Sequence, residues 1–366
     1  MSTNWMRHFE LQLVGDNGQG ISLSDFKVTF NIERNDNKWP ATATLRVYNL
    51  STDTQNRIMK REFSKIKIIA GYDGLAPDVP ASDVGVVHEV SASEQGHTNG
   101  TNYGVIFSGD IRFTVTGKDN PVDSWVLIQA CDSMEAFTKA FINTTLSKGY
   151  TAADVYALLM KTLEPYGITR GIVPVFPPTV YPRGKAFFGM VHSYLDNLAE
   201  QCNASWQFNY GKVDMVAKDV AAHQAVVLNA DTGLIGMPQQ TIGAGVNVRC
   251  LINSNIALHG LIQLDQASIY RSSLQNQDLY AGGFNETKDA NGNLIPIGKI
   301  KDDNGNLIDA PPLAQPASVA TDGVYIVRYI SYTGDTRGQA WYMDLACEAR
   351  GAADVPSGSF LQKVPS

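Results

Sequence analysis

The sequence contains no Cys-x-x-Cys pair, no His-Glu-x-x-His, no apolar run near ~18 residues and no sizeable Lys/Arg cluster. Each absence removes a class of function. The four cysteines, Cys131, Cys202, Cys250 and Cys347, lie too far apart for zinc-site spacing. They sit in apolar or mixed stretches such as Leu127-Ile128-Gln129-Ala130-Cys131, and read as reduced, buried thiols used as small hydrophobes. That usage fits assembly in a reducing cytoplasm. A net charge of −7 and a pI near 5.4 leave no basic footprint for binding duplex nucleic acid. Without a long apolar run no membrane span is expected, and Met1 to His8 have no apolar core, so no signal peptide is expected either. A Gly-x-Ser-x-Gly elbow is missing too, which removes support for an α/β-hydrolase nucleophile. The Gly-rich runs at 15–20 and 243–245 lack the Lys-Ser/Thr of a phosphate loop, and read as turns.

What is present points to β structure. Of 366 residues, 44% are hydrophobic and 18% charged, enough apolar material for two or three domains with real cores. The 32 Gly and 16 Pro are scattered as punctuation, which implies many short elements. Phe9-Glu10-Leu11-Gln12-Leu13-Val14, Phe26-Lys27-Val28-Thr29-Phe30-Asn31-Ile32 and Ala43-Thr44-Leu45-Arg46-Val47-Tyr48 alternate with period two, giving each strand one buried and one wet face. A short helix is expected over 52–63 with Ser51 or Thr52 as its cap. Further strands are expected at 65–70, 104–109, 111–115 and 124–128, and the Pro-, Ser-, Asp- and Gly-rich stretch 75–100 reads as an exposed loop.

The texture then changes. Val155, Leu158, Leu159 and Leu163 have helical spacing within 151–166, with Thr151 as cap and Gly167 as stop. The spacing of Phe187, Phe188, Val191, Leu195, Leu198 and Ala199 predicts a second helix over 187–202. Between them Pro174, Pro177, Pro178 and Pro182 impose an extended, irregular path. A hairpin follows around Asn209-Tyr210-Gly211-Lys212, and strands return at 225–229, 246–251, 261–264, 323–330 and 341–346. The expected fold is therefore mainly β (α+β). Two β-barrel or sandwich domains, 1–140 and 221–366, flank a small α+β domain over 141–220, with an extension at about 281–320.

That extension carries a short repeat, Lys288-Asp289-Ala290-Asn291-Gly292-Asn293-Leu294-Ile295 and Lys301-Asp302-Asp303-Asn304-Gly305-Asn306-Leu307-Ile308. Asn-Gly between apolar residues signals hairpin turns. Asp289, Asn291 and Asn293 alternate as calcium ligands do, but the glycine is misplaced and no bidentate Glu follows at the required spacing, so paired turns are the reading.

Candidate chemistry is sparse. The histidines His8, His88, His97, His192, His223 and His259 form no ligand group. His8, His97 and His223 read as solvent-facing, and His192 as packing or capping on its helix. Glu10, Asp110, Glu135, Asp265 and Glu348 lie on or near strands, and any two of them could meet at glycosidase spacing, yet nothing singles out a pair. Tyr270, Tyr280 and Phe284 could serve a carbohydrate surface, but more simply pack the base of the extension. No catalytic, cofactor-binding or metal-binding residue is assigned, no cofactor is expected, and an enzyme is not.

Thr44-Leu45-Arg46-Val47-Tyr48-Asn49-Leu50-Ser51 before a short helix, and Phe107-Ser108-Gly109-Asp110-Ile111 before a strand ending Gln129-Ala130-Cys131-Asp132, resemble the tail-tube-like barrel of phage tail baseplate hub proteins. Leu195-Asp196-Asn197-Leu198-Ala199 followed by Cys202-Asn203-Ala204-Ser205-Trp206-Gln207-Phe208 resembles the middle domain of the hub and late-control protein family, and Gly233-Leu234-Ile235-Gly236-Met237-Pro238 the opening of its second barrel. The resemblance spans nearly the whole chain through short motifs of common residues; the repeat at 288–308 departs from it. It implies a homotrimer whose two barrels per subunit make a pseudo-sixfold ring in the baseplate of the virion tail, assembled in the host cytoplasm. Implied partners are a tail spike protein, a tail tube or distal tail protein, a tape measure protein and other baseplate proteins, with DNA only in transit through the lumen. A mildly acidic wall suits such passage because it would not hold a polyanion. Two alternatives stand beside it, a tail-associated peptidoglycan hydrolase and a carbohydrate- or receptor-binding tail module.

Overall fold

The computed structural model describes residues 5–16, 18–74, 102–218, 222, 225–230, 232–240, 245–264, 299–301, 307–309 and 323–349. The stretch 75–100, Asp265, Tyr270, Tyr280, Phe284, His88, His97, His223, the first repeat and most of the extension lie outside the described residues.

The chain is mainly β. Its first part forms β1 (Trp5–Val14), β2 (Gly20–Ser22), β3 (Val28–Asn35), β4 (Thr42–Tyr48), the helix α1 (Thr52–Met59), β5 (Lys65–Gly74), β6 (Asn102–Lys118) and β7 (Ser124–Cys131). The middle holds α2 (Met134–Lys139), β8 (Phe141–Leu146), α3 (Ala152–Leu163), β9 (Thr169–Arg170), β10 (Lys185–Met190), α4 (Val191–Gln201), β11 (Ala204–Asn209) and β12 (Lys212–Ala217). Strands then return as β13 (Ala225–Leu228), β14 (Gln239–Gln240), β15 (Gly245–Leu251), β16 (Leu261–Leu264), β17 (Lys299–Lys301), β18 (Leu307–Asp309), β19 (Val324–Asp335) and β20 (Trp341–Ala349).

Period-two patterning produces the expected faces. On β3, Val28, Phe30 and Ile32 point inward; on β20, Trp341, Met343, Leu345, Cys347 and Ala349 do, with Tyr342, Asp344, Ala346 and Glu348 on the other side. Ser51 caps α1 by accepting from the Thr54 amide. The two stretches 104–109 and 111–115, expected as separate strands, are one strand, β6. Its first half pairs with β5, its second half with β7, and the register slips between Ile111 and Phe113. The extra residue at this slip is Arg112, while Ser108-Gly109-Asp110 keeps regular register with β5.

The first and last strands belong to one sheet. Its path runs β14-β15-β20-β19-β3-β4-β7-β6-β5-β1-β2, with β16 on β19 and β13 on β16. The joining strand is β19. Val324 to Ile326 pair with β16, Tyr329 to Asp335 pair with β3, and the opposite edge pairs with β20. A bulge between Val327 and Tyr329 separates the two regimes and makes Arg328 the extra residue. Buried residues from Leu11 to Ala349 form one hydrophobic cluster across this sheet. Near its middle Phe9 stacks on Phe30 at 5.6 Å and Trp341 meets both rings edge-on. Gly334 faces Phe30 so closely that a Cβ there would lie 2.2 Å from the ring, so no larger residue fits. Arg7 lies over Trp341 and donates to the Gly338 and Gln339 carbonyls, fastening β1 to the β19–β20 turn.

His8, expected at the surface, is largely enclosed instead. It stacks on Tyr103 at 3.7 Å, with Nδ1 2.8 Å from Asp73 and Nε2 3.1 Å from Glu10. Period two puts its neighbour Phe9 on the opposite, core-facing side of β1, and pairing with β5 brings Asp73 within reach.

The middle region is a separate α+β lobe. Thr151 caps α3 in a capping box with Asp154, and Gly167 ends the following 3-10 turn at φ 73°. The helix expected over 187–202 begins only at Val191, because Phe187 and Phe188 belong to β10, paired with β8. Alternation explains their fates, Phe187 buried and Phe188 exposed, which helical spacing would not produce. The hairpin β11–β12 closes through Tyr210 and Gly211, both with positive φ, the geometry of a type I′ turn. Leu159, Leu163, Phe187, Leu195, Trp206 and Met215 are among the residues of a second hydrophobic cluster, which shares none with the first. In the extension, β17 and β18 pair antiparallel, and residues 302–306 of the second repeat lie outside the described residues.

All four cysteines are free thiols; Cys250 and Cys347 are buried, Cys131 and Cys202 half-buried.

Candidate functional site

The chemistry-bearing side chains of the described residues gather where the lobe meets the sheet. Two arginines organise that seam. Arg34 follows Ile32 on the inward face of β3, but past the apolar core, so it points at the lobe. Its guanidinium donates to the Tyr210 hydroxyl and the Asn209 side-chain oxygen Oδ1, and lies over the Tyr210 ring. The backbone amides of Tyr210 and Gly211 donate to Asp132, the last residue before the chain enters the lobe. Burial pushes the Asp132 carboxyl above its usual range, and Ser133, Arg34 and the two amides offset only part of that.

Arg328 is placed by the β19 bulge. Its Nε donates to Glu348 at 2.8 Å, Nη1 to Asp36 at 2.9 Å, and Nη2 to the Lys218 carbonyl at 2.8 Å. Nη1 also lies 3.3 Å from Nδ1 of the buried His259. His259 Nε2 lies 3.0 Å from Asp36 Oδ1. Burial raises the Asp36 carboxyl, yet His259, Ser205 and the Arg328 charge outweigh it and hold it below the usual carboxylate range. Lys38–Asp196, at 2.8 Å, and the ring contact Trp39–Phe137 complete the seam from the β3–β4 loop.

A polar cleft of about 270 Å³ opens beside this seam, between β6 and the lobe. Asp110 and Glu135 both line it with Asp132, and the Glu135 amide reaches Asp110 at 3.4 Å. Thus the structure brings two of the five sequence-flagged carboxylates together. Glu10 lies elsewhere, on His8, and Glu348 is held by Arg328. His192 stacks on Phe137 at 4.8 Å. Arg34, Asp36, Asp132, His259 and Arg328 were not flagged by sequence reasoning. Arg34 at an inward position of an otherwise apolar strand was the one available signal; partners as remote as 175 and 292 residues leave none.

The outer face of the sheet is a second feature. Seven neighbouring strands, from β15 to β6, present it without interruption. Paired positions give one row of Tyr342, Thr333, Asn31, Thr44 and Gln129, ending at the exposed Phe113. Another holds Arg249, Asp344, Ser331, Glu33 and Thr42, in which Arg249 and Asp344 are paired at 2.7 Å. Hydroxyls and amides dominate the first row, whereas Arg249, Asp344 and Glu33 make the second row mostly charged, with both signs present.

No protein-family model matches the chain, and no curated protein does. Among solved structures it is similar to the 43 kDa tail protein of prophage MuSo2 from Shewanella oneidensis, at 10% identity over 96% of this chain and 99% of that one, with a TM-score of 0.46. It is similar also to a tail protein from Neisseria meningitidis, at 11% identity over 95% and 98% of the two chains, TM-score 0.44. A prophage tail protein from Listeria monocytogenes is 10% identical over 97% and 99%, TM-score 0.39.

Proposed function

We propose that this chain is a structural subunit of a phage tail, the baseplate hub, in which its β-regions line a conduit. The observation that carries the reading is the row of hydroxyls and amides that crosses five strands of this face, from Tyr342 to Gln129. A wall along which a polyanion passes needs neither a cationic patch, which would retain it, nor a large apolar patch, which would bind other surfaces. The short hub-like motifs in the sequence support the same reading. In this proposal 1–140 and 221–366 act as the two tube-like units and 141–220 as the domain between them. Three copies form a ring with heterologous contacts, joining the tail tube or distal tail protein to the spike, with the tape measure and other baseplate proteins as further neighbours. Light scattering across a tenfold dilution series, with imaging of the main peak, tests it. A trimer with a central channel is expected; a monomer at every dilution counts against the ring.

One observation favours a second reading, cell-wall hydrolysis: Asp110 and Glu135 share a polar cleft. Degradation of purified peptidoglycan that Asp110→Asn abolishes would establish it, and absence of turnover would leave the structural role.

A further inference from the structure

We infer that the α+β lobe is a hinged body, docked on the sheet by two arginine latches and able to swing away without unfolding. This goes beyond the tail assignment and does not depend on it.

Four independent observations converge on the seam. The lobe and the sheet bury separate hydrophobic clusters with no residue in common, so parting them exposes little of either core. The seam itself is polar: Arg34 meets Asn209 and Tyr210, and Arg328 meets Asp36, His259 and the Lys218 carbonyl. It is also incompletely satisfied. Ser205, Gln207 and Asn209 share one face of β11 by period two, opposite the core residues Trp206 and Phe208. Asn209 meets Arg34, and Ser205 bears on Asp36. Arg34 Nε and Gln207 Oε1, two buried side-chain atoms on this line, have no hydrogen-bond partner among the described residues. A buried network left partly unpaired is a weak point in a contact, unlike a packed core.

Backbone geometry marks one pivot: Ser133, where the chain enters the lobe, has φ 50°. Left-handed backbone outside glycine persists where surroundings impose it. The chain leaves the lobe at Lys218, whose carbonyl Arg328 grips, and Ala222 then donates to the His259 carbonyl. Both crossings therefore sit beside a latch, and the polar cleft at the mouth of the seam leaves room for movement.

Amide hydrogen exchange on the full chain tests the inference. In the unaltered protein the Tyr210, Gly211 and Ala222 amides are expected to exchange faster than core amides of β4 and α4, because opening the seam is cheaper than unfolding either body. Arg328→Gln should speed Ala222 by about tenfold or more, with β4 and α4 unchanged. If Arg328→Gln does not fold, Tyr210→Phe, which removes only the hydroxyl that accepts from Arg34, should speed the amides of residues 210 and 211 in the same selective way. Seam amides that exchange at the rate of the α4 core, before and after substitution, would overturn the hinge. So would a variant that accelerates α4 equally, since the lobe would then unfold as it undocks.

Discussion

In the sheet, core residues alternate along strands and meet partners far away in sequence; β3 and β19 are joined across most of the chain. In the lobe they come at helical spacing from α3 and α4 and pack on hairpins formed locally. Both regions bury large apolar side chains completely, worth roughly 1.5–3 kcal/mol for each Val, Leu, Ile or Phe. The same hydrophobic driving force thus makes one unit whose integrity is global and one whose integrity is local. Where they touch, arginine and carboxylate replace leucine and valine, and contact becomes conditional.

The harshest way to break that division is Trp341→Ala. This ring is buried against Phe9 and Phe30, and its loss should cost the sheet about 3–5 kcal/mol. Denaturant titration read by residue-resolved NMR should show the sheet melting earlier while α3 and α4 persist. A single shared midpoint would mean that the two cores unfold as one. Leu195→Ala, fully buried in the lobe, should do the reverse at about 2–5 kcal/mol, lowering the lobe's midpoint and sparing β3 and β4. Thr151→Ala removes the capping box of α3 and should cost about 1 kcal/mol, confined to the lobe. The smallest effect belongs to the sheet and to pH. Burial lowers the His8 imidazole, but Asp73 and Glu10 outweigh it, so its protonation is held above the ordinary histidine range. The stability it contributes is present in full below that ordinary value and fades as pH rises through the raised one. An NMR titration of His8 should show the raised midpoint, and His8→Gln should flatten this part of the sheet's pH dependence while leaving the lobe's unchanged.

Strands that are half buried were legible, since Val28, Phe30 and Ile32 or Leu45 and Val47 announce a face by alternation alone. So were α3 and the β11–β12 hairpin, whose Thr151, Gly167 and Tyr210-Gly211 are local stop and turn signals. The Phe187-Phe188 pair misled because two adjacent aromatics fit a helical stripe as well as a strand with one face covered. The seam was nearly invisible. Arg328 acquires its meaning from a bulge and from Asp36, His259 and Lys218, none of them near it in sequence. Asp132 looked like the polar end of a strand, and only the turn at Tyr210 makes it a buried acceptor.

The shared strand β19 also sets an order in time. Its place beside β3 stays empty until roughly 300 more residues have left the ribosome. At the usual pace of synthesis that is a wait of about 15–60 s. For that interval the nascent chain exposes the unpaired edge of β3, with Phe30 and Ile32 beside it, at high local concentration on polysomes. The lobe, folding from neighbouring segments, can be complete long before. Synthesis of β19, rather than pairing of the earlier strands, is then the step at which β3 becomes safe from aggregation, and holdase chaperones should matter most for chains truncated before Val324.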